Sequence, residues 1–249
     1  MANKKNTTEI SEYYNKKSVV STYDSRRFSG KGGEYINETE LKPLLSVISN
    51  HRSLKKKIKV NMLDLGAGRG RLSLPVKRMG LEVYCLDFSK DMLKVLKKNF
   101  PEDRLFFGSV FEKIKIKEKF QVISSLRFFD HFSDEDQLKI LLNIKKNLEP
   151  QGVIVYACLN KISLEGLISS FYPYGRYNYF YTDGQYREMF RKAGLTVTAV
   201  ESSVFFPRGI FLHIKNPSLL NFLIYFDEKL SRFFPALNAL QVYEVKQTK

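Results

Sequence analysis

Cysteine is scarce in this chain of 249 residues: there are two, Cys85 and Cys158, and each sits in an apolar, strand-like run. That placement argues for buried thiols in a reducing compartment and against a disulfide framework or a cysteine zinc site. Long hydrophobic runs are missing as well. Nothing approaches the ~18 consecutive apolar residues that a membrane-spanning helix requires, and the opening MANKKNTTEISEYYNKK lacks the apolar stretch of a secretory signal. A cytoplasmic protein is the expectation. No unit repeats at the ~20–50-residue period of a solenoid. No Cys/His cluster has metal-ligand spacing and no Ser/His/Asp motif supports nucleophilic catalysis, so no metal site is expected.

Acidic residues are outnumbered, 26 against 41 Lys and Arg, for a net charge of +15. Such a surplus attracts nucleic acid or an anionic membrane. The lysines are nevertheless scattered, with local groups at Lys55–Lys57 and Lys113–Lys119, and there is neither an RGG tract nor a long basic tail. Solvated lysine-rich faces and an acidic partner both remain open. The 43% apolar content is ordinary for a globular protein, and the length suffices for a full core.

Periodicity alternates strands with helices. Short apolar runs at 57–65, 81–88, 104–110, 120–126 and 153–159 read as buried strands, and 195–203 and 239–247 as two more. Between them, 71–80, 89–99, 133–148 and 182–194 have helical spacing. Ser89 and Thr182 stand at N-cap positions, Gln185 three residues after Thr182, and Gly194 as a stop. EPQG at 149–152 reads as a turn. Alternation of this kind implies an α/β fold with a mostly parallel sheet covered on both faces.

The first strand runs into LDLGAGRGRLSLPV, with Gly66, Gly68 and Gly70 in five positions. Glycine there lets the chain turn sharply and a ligand approach the backbone, at the strand end where open α/β sheets bind ligands. The spacing is not the dinucleotide fingerprint G-x-G-x-x-G, because Arg71 occupies its sixth position. Asp87 follows 21 residues after Gly66, at the end of the second strand. A carboxylate so placed suits the two hydroxyls of a ribose.

DLGAGRG (64–70), the acidic residue in LDFSKDML (86–93) and LEPQGVIVY (148–156) resemble the core motifs of class I S-adenosylmethionine-dependent methyltransferases. The resemblance implies a three-layer Rossmann-like α/β sheet of seven strands with the last antiparallel. It also implies S-adenosyl-L-methionine as cofactor. Asp64 and the backbone of Gly66, Ala67, Gly68 and Gly70 would hold its amino-acid part, Asp87 its ribose, and Phe88 its adenine. Ser109 and Val110 match the adenine-facing position, where the family often has an acid, and Ser125 a residue beside the methionine moiety.

Residues outside these motifs bear on the acceptor. His131 falls where related small-molecule enzymes often carry a histidine. It reads as a general base or as a histidine satisfied beside Asp130. An N-terminal helical cap (1–37) would precede a methyltransferase domain (38–249), and its Tyr14 and Tyr23 are acceptor-side candidates. Insertions at about 161–181 and 204–238 complete this side. In FYPYGRYNYFYTDGQY (171–186) eight of sixteen residues are aromatic, Tyr177 and Tyr181 among them. Arg208 is a candidate for a substrate phosphate or carboxylate. The helix read over 217–234 would cap the pocket, form a homodimer face or lie on a membrane, so monomer and homodimer both stand. The expected function is methyl transfer to O, N or C of a small-molecule or lipid/sugar-linked acceptor. An RNA methyltransferase is the alternative, opposed by SSLRF (124–128), where enzymes acting on base nitrogens often carry an Asn/Asp-Pro-Pro-aromatic run. A non-catalytic cofactor-binding or scaffold protein is the other.

Overall fold

A computed structural model describes residues 12–14, 16–50, 59–172 and 178–248. Its centre is a seven-stranded sheet in the order β3-β2-β1-β4-β5-β7-β6. The strands are β1 (Asn61–Leu65), β2 (Glu82–Asp87), β3 (Leu105–Phe107), β4 (Phe120–Ser125), β5 (Leu148–Leu159), β6 (Leu195–Ser203) and β7 (Leu240–Gln247). The pairs among β1–β5 are parallel, while β7 runs antiparallel to both β5 and β6. The order reverses at β1, which lies between β2 and β4, and this opens a crevice at the carboxyl ends of those strands.

Alternate residues fill two cores on opposite faces of the sheet. In β5, Ile154, Tyr156 and Cys158 face one core and Val153, Val155 and Ala157 the other. Burial on both faces explains why these strands read as continuous apolar runs. Cys85 and Cys158 are free, buried, and on opposite sides.

The helices, in chain order, are α1 (Lys17–Phe28), α2 (Gly30–Ser49), α3 (Ser73–Arg78), α4 (Lys90–Leu96), α5 (Asp134–Ile144), α6 (Leu164–Phe171), α7 (Asp183–Lys192), α8 (Arg208–His213) and α9 (Pro217–Phe233). Ser89 caps α4, Ser133 caps α5, and Thr182 with Gln185 closes a reciprocal capping box on α7. A third, smaller cluster joins Tyr35 and Ile36 of α2 to Phe211 of α8 and Leu220 of α9.

Several boundaries differ from the sequence reading. β1 is confined to its last five residues and β3 to three. EPQG is not a free turn. Leu148 pairs with Phe120 and Val153 with Val122, so the intervening residues bulge out of one continuous strand. Helices α2, α6 and α8 carry no clear sequence signal. The glycines of GKGGEYINETELKPLLSVIS and Pro43 within it argue locally against a helix, and burial of Leu41, Leu44, Val47 and Ile48 overrides them. The boundary expected near residue 37 falls inside α2.

Candidate active site

The glycine turn is fastened across the switch point. Gly66 N and Ala67 N both donate to Leu86 O at the end of β2, at 2.8 and 3.2 Å. Gly68 N donates to Asp87 Oδ2 at 2.8 Å and Ser89 N to Asp87 Oδ1 at 2.7 Å. Gly66 and Gly68 have φ of 62° and 53°, in the left-handed region that side chains avoid. A Cβ on Gly66 would lie 2.4 Å from the Phe128 ring, whereas one on Gly68 meets only Gly66 O, at 3.9 Å. The turn is therefore packed beneath Gly66 and open above Gly68.

Two carboxylates flank it. Ser73 Oγ donates to Asp64 Oδ2 and Cys85 Sγ donates to Ser73 Oγ. Burial pushes Asp64 up to about 7, Ser73 opposing. Burial likewise pushes Asp87 up to about 6, against the hydrogen bonds from Ser89 and Gly68.

One cavity collects Gly66, Gly68, Asp87 and Phe88 with Tyr14, Tyr23 and His131. Met92, Leu126, Arg127, Phe128 and Phe132 complete its wall. A depression sharing Gly66, Gly68, Tyr23 and Leu126 extends to Asp64, Ala67, Arg69 and Arg71. The N-terminal segment is held over this site. Arg69 Nη1 donates to Val20 O at 2.9 Å, and the Arg71 guanidinium stacks 4.1 Å from the Phe28 ring centre. Tyr14 OH lies 3.0 Å from His131 Nε2. Burial pushes the Tyr14 phenol up to about 12, Arg27 opposing, so it keeps its proton.

Other expected residues lie elsewhere. Gly70 packs against Leu96 and Leu74, behind the turn. Ser109 Oγ accepts from Phe111 N at 3.2 Å, and Val110 is buried in a core cluster with its carbonyl taken by Asn143 Nδ2. Neither lines the cavity described. Ser125 is fully buried at the end of β4, and its Oγ has no hydrogen-bond partner among the described residues. Tyr181 stacks near Tyr179 and lines a separate depression with Asp134 and Gln185. Tyr177 lies outside the described residues.

Arg208 does not face a substrate. It is buried, donating through Nε to Glu165 Oε2 at 2.8 Å, through Nη2 to Glu165 Oε1, and through Nη1 to Glu40 Oε1 at 2.7 Å. Glu40 also accepts from Arg71 Nη2 at 2.7 Å and sits 3.5 Å from Arg127 Nη1. Arg127 Nε lies 3.4 Å from Asp130 Oδ2. Arg127 is held at a φ of 59°, a costly conformation for a residue with a Cβ. The sequence reading misses Arg127 and Glu40. Nothing in the local pattern marks a left-handed arginine or a carboxylate that gathers three distant guanidinium groups.

A doubly covered parallel sheet ending in an antiparallel strand, with a glycine turn facing a strand-end carboxylate at the switch point, is the architecture of the class I S-adenosylmethionine-dependent methyltransferases. Residues 62–152 match the family model described as a methyltransferase domain, and the chain has the fold of that class. A ubiquinone biosynthesis O-methyltransferase from Pelagibacter ubique is 32% identical over 130 residues, 51% of this chain and 52% of that protein. The match thus spans about half the length of that relative. One of the same name from Rickettsia typhi is 20% identical over 234 residues, 87% and 94% of the two chains. The crystal structure of magnesium protoporphyrin IX methyltransferase from Synechocystis PCC 6803 with bound SAH superposes with a TM-score of 0.67 at 14% identity, covering 98% of this chain and 100% of that one. A second structure of that Synechocystis enzyme, with bound SAM, superposes with a TM-score of 0.64 at 12% identity.

Proposed function

We propose that the enzyme methylates a hydroxyl on the aromatic ring of a small acceptor, free or carried on a lipid or sugar. The observation that carries this reading is the Tyr14–His131 contact: the chain's own phenol sits 3.0 Å from His131 Nε2 in the cavity beside Gly68 and Asp87. A phenolic acceptor fits that same place by replacing Tyr14. The relatives' printed names, O-methyltransferases of ubiquinone biosynthesis, accord with it.

The site fits the cofactor because the Gly68 face is open and Asp87, anchored by two backbone N–H groups, retains lone pairs for a ribose. Asp87 would bind the ribose hydroxyls, Phe88 and Met92 would enclose the adenine, and Asp64 with the glycine turn would hold the amino-acid end. Bound S-adenosylmethionine supplies a methyl already activated on a positive sulfur. His131 Nε2 would take the proton that the acceptor hydroxyl loses on methylation and later return it to water. Tyr23 and Phe132 would orient the acceptor ring and exclude water. Of the expected acceptor-side segments, the one before residue 37 contributes Tyr23 to this cavity.

Calorimetry with S-adenosylhomocysteine tests the cofactor half: Asp87→Ala should bind at least about tenfold more weakly, roughly 1.4 kcal/mol. Turnover of a panel of phenols against matched anilines tests the acceptor half. His131→Ala should lower kcat about 10²-fold or more on phenols while cofactor affinity holds. Equal turnover of both acceptor classes, or undiminished kcat in the variant, would overturn the hydroxyl reading.

A further inference from the structure

Helix α9 presents two apolar faces, and the fold consumes one of them. On the inner face Leu220 is buried, and Leu223 and Ile224 pack on the small cluster shared with α2 and α8. Asp227 fixes the helix's rotation, accepting from Tyr35 OH at 2.7 Å and Phe206 N at 2.6 Å. The outward face is thereby locked toward solvent. It carries Leu219, Phe222, Phe226 and Phe233 at steps of three, four and seven residues, one stripe along the helix. Phe222 is 60% exposed and Phe233 76%, with the neighbouring Tyr225 at 51%. A contiguous row of exposed aromatic rings marks an interaction surface.

The cations beside that row decide what it meets. Lys229 and Arg232 are exposed along its flank, the Lys229 ammonium 4.4 Å above the Tyr225 ring, and Lys215 precedes the helix. A two-fold homodimer built on this face would bring two sets of these cations to one seam, a repulsive arrangement. Against a lipid headgroup layer the same cations meet phosphates while the rings enter the acyl boundary. The net charge of +15 acts in the same sense. A second exposed apolar face starts beside the foot of α9. Asn160 Nδ2 donates to Ala236 O at 2.8 Å and to Asn238 O at 2.9 Å, and α6, which follows, exposes Leu167 at 49% and Phe171 at 80%. No described helix is long and apolar enough to cross a bilayer, so contact of this kind is in-plane.

We propose that the outer face of α9 docks in the interfacial plane of an anionic lipid bilayer, Leu219, Phe222, Phe226 and Phe233 inserting and Lys229 and Arg232 pairing with phosphates. The inference rests on the surface alone, independent of the acceptor.

Flotation of the full chain with vesicles of phosphatidylcholine, with and without phosphatidylglycerol, is the test. Wild type should float with the anionic vesicles. The triple variant Phe222→Ser, Phe226→Ser, Phe233→Ser should lose at least about tenfold in partitioning, with its thermal midpoint and S-adenosylhomocysteine affinity unchanged. Lys229→Glu with Arg232→Glu should lose binding to anionic vesicles in the same way. Three results overturn the proposal. These are wild type found only in the unbound fraction; the triple variant floating as well as wild type, which would assign binding to general charge; and wild type running as a dimer that the triple variant dissociates while neither binds vesicles.

Discussion

Asp64 and Asp87 are separated from solvent before any ligand is considered, and Asp64 bears the larger consequence. Its carboxyl accepts from the Ser73 hydroxyl and burial raises it to about 7. In the unfolded chain the same group ionises near ~3.9. The folded state therefore holds the proton to higher pH, and the stability this gives is full below about pH 4 and drains away as pH climbs to the folded value. Thermal melts should show Asp64→Asn gaining on wild type at pH 8 and matching it more closely at pH 5, because the amide never ionises. A cationic amino group bound at Asp64 would favour its ionised form. S-adenosylhomocysteine affinity should accordingly rise with pH up to about 7 in wild type and lose that slope in Asp64→Asn, as read by calorimetry across buffers.

The turn between β1 and α3 separates packing glycines from a ligand-facing one. Gly66→Ala would drive a methyl into the Phe128 ring, 2.4 Å away, and should lose stability and cofactor binding together. Gly68→Ala meets no such atom. It should cost roughly 1–2 kcal/mol for the left-handed backbone yet fold, while S-adenosylhomocysteine binding weakens because the methyl stands where the ligand approaches. Denaturation and calorimetry on the two variants separate the cases. This turn, Asp87, and the caps at Ser89 and Thr182 are legible in the sequence because each is written within a few residues. What joins the site from afar is not. Phe128 and Phe132 form cavity wall just after Arg127, which turns the chain at φ 59°. Tyr181 belongs to an aromatic-dense segment, but its bridge to Asn160 seats it beside α5 and α7, away from the glycine turn.

Across the whole molecule, Glu40 does what no single element can. From α2 it reaches Arg71 before α3, Arg127 after β4 and Arg208 at the start of α8, the last 168 residues away in the chain. Such spacing has no local signature, which is why Arg208 reads in sequence as an exposed anion binder. Glu40→Gln should destabilise the fold by about 3 kcal/mol in urea titrations, since it removes the counter-charge that Arg71, Arg127 and Arg208 share. The insertion strand has a different kind of reach. β6 is joined to the sheet only through β7, which follows it in the chain yet lies between it and β5. During synthesis, a ribosome that has released residues up to Asn238 has delivered β5 and β6 with no strand between them, two unpaired strand edges awaiting the eight residues of β7. Pairing of β7 during synthesis is thus an insertion between two strands already made.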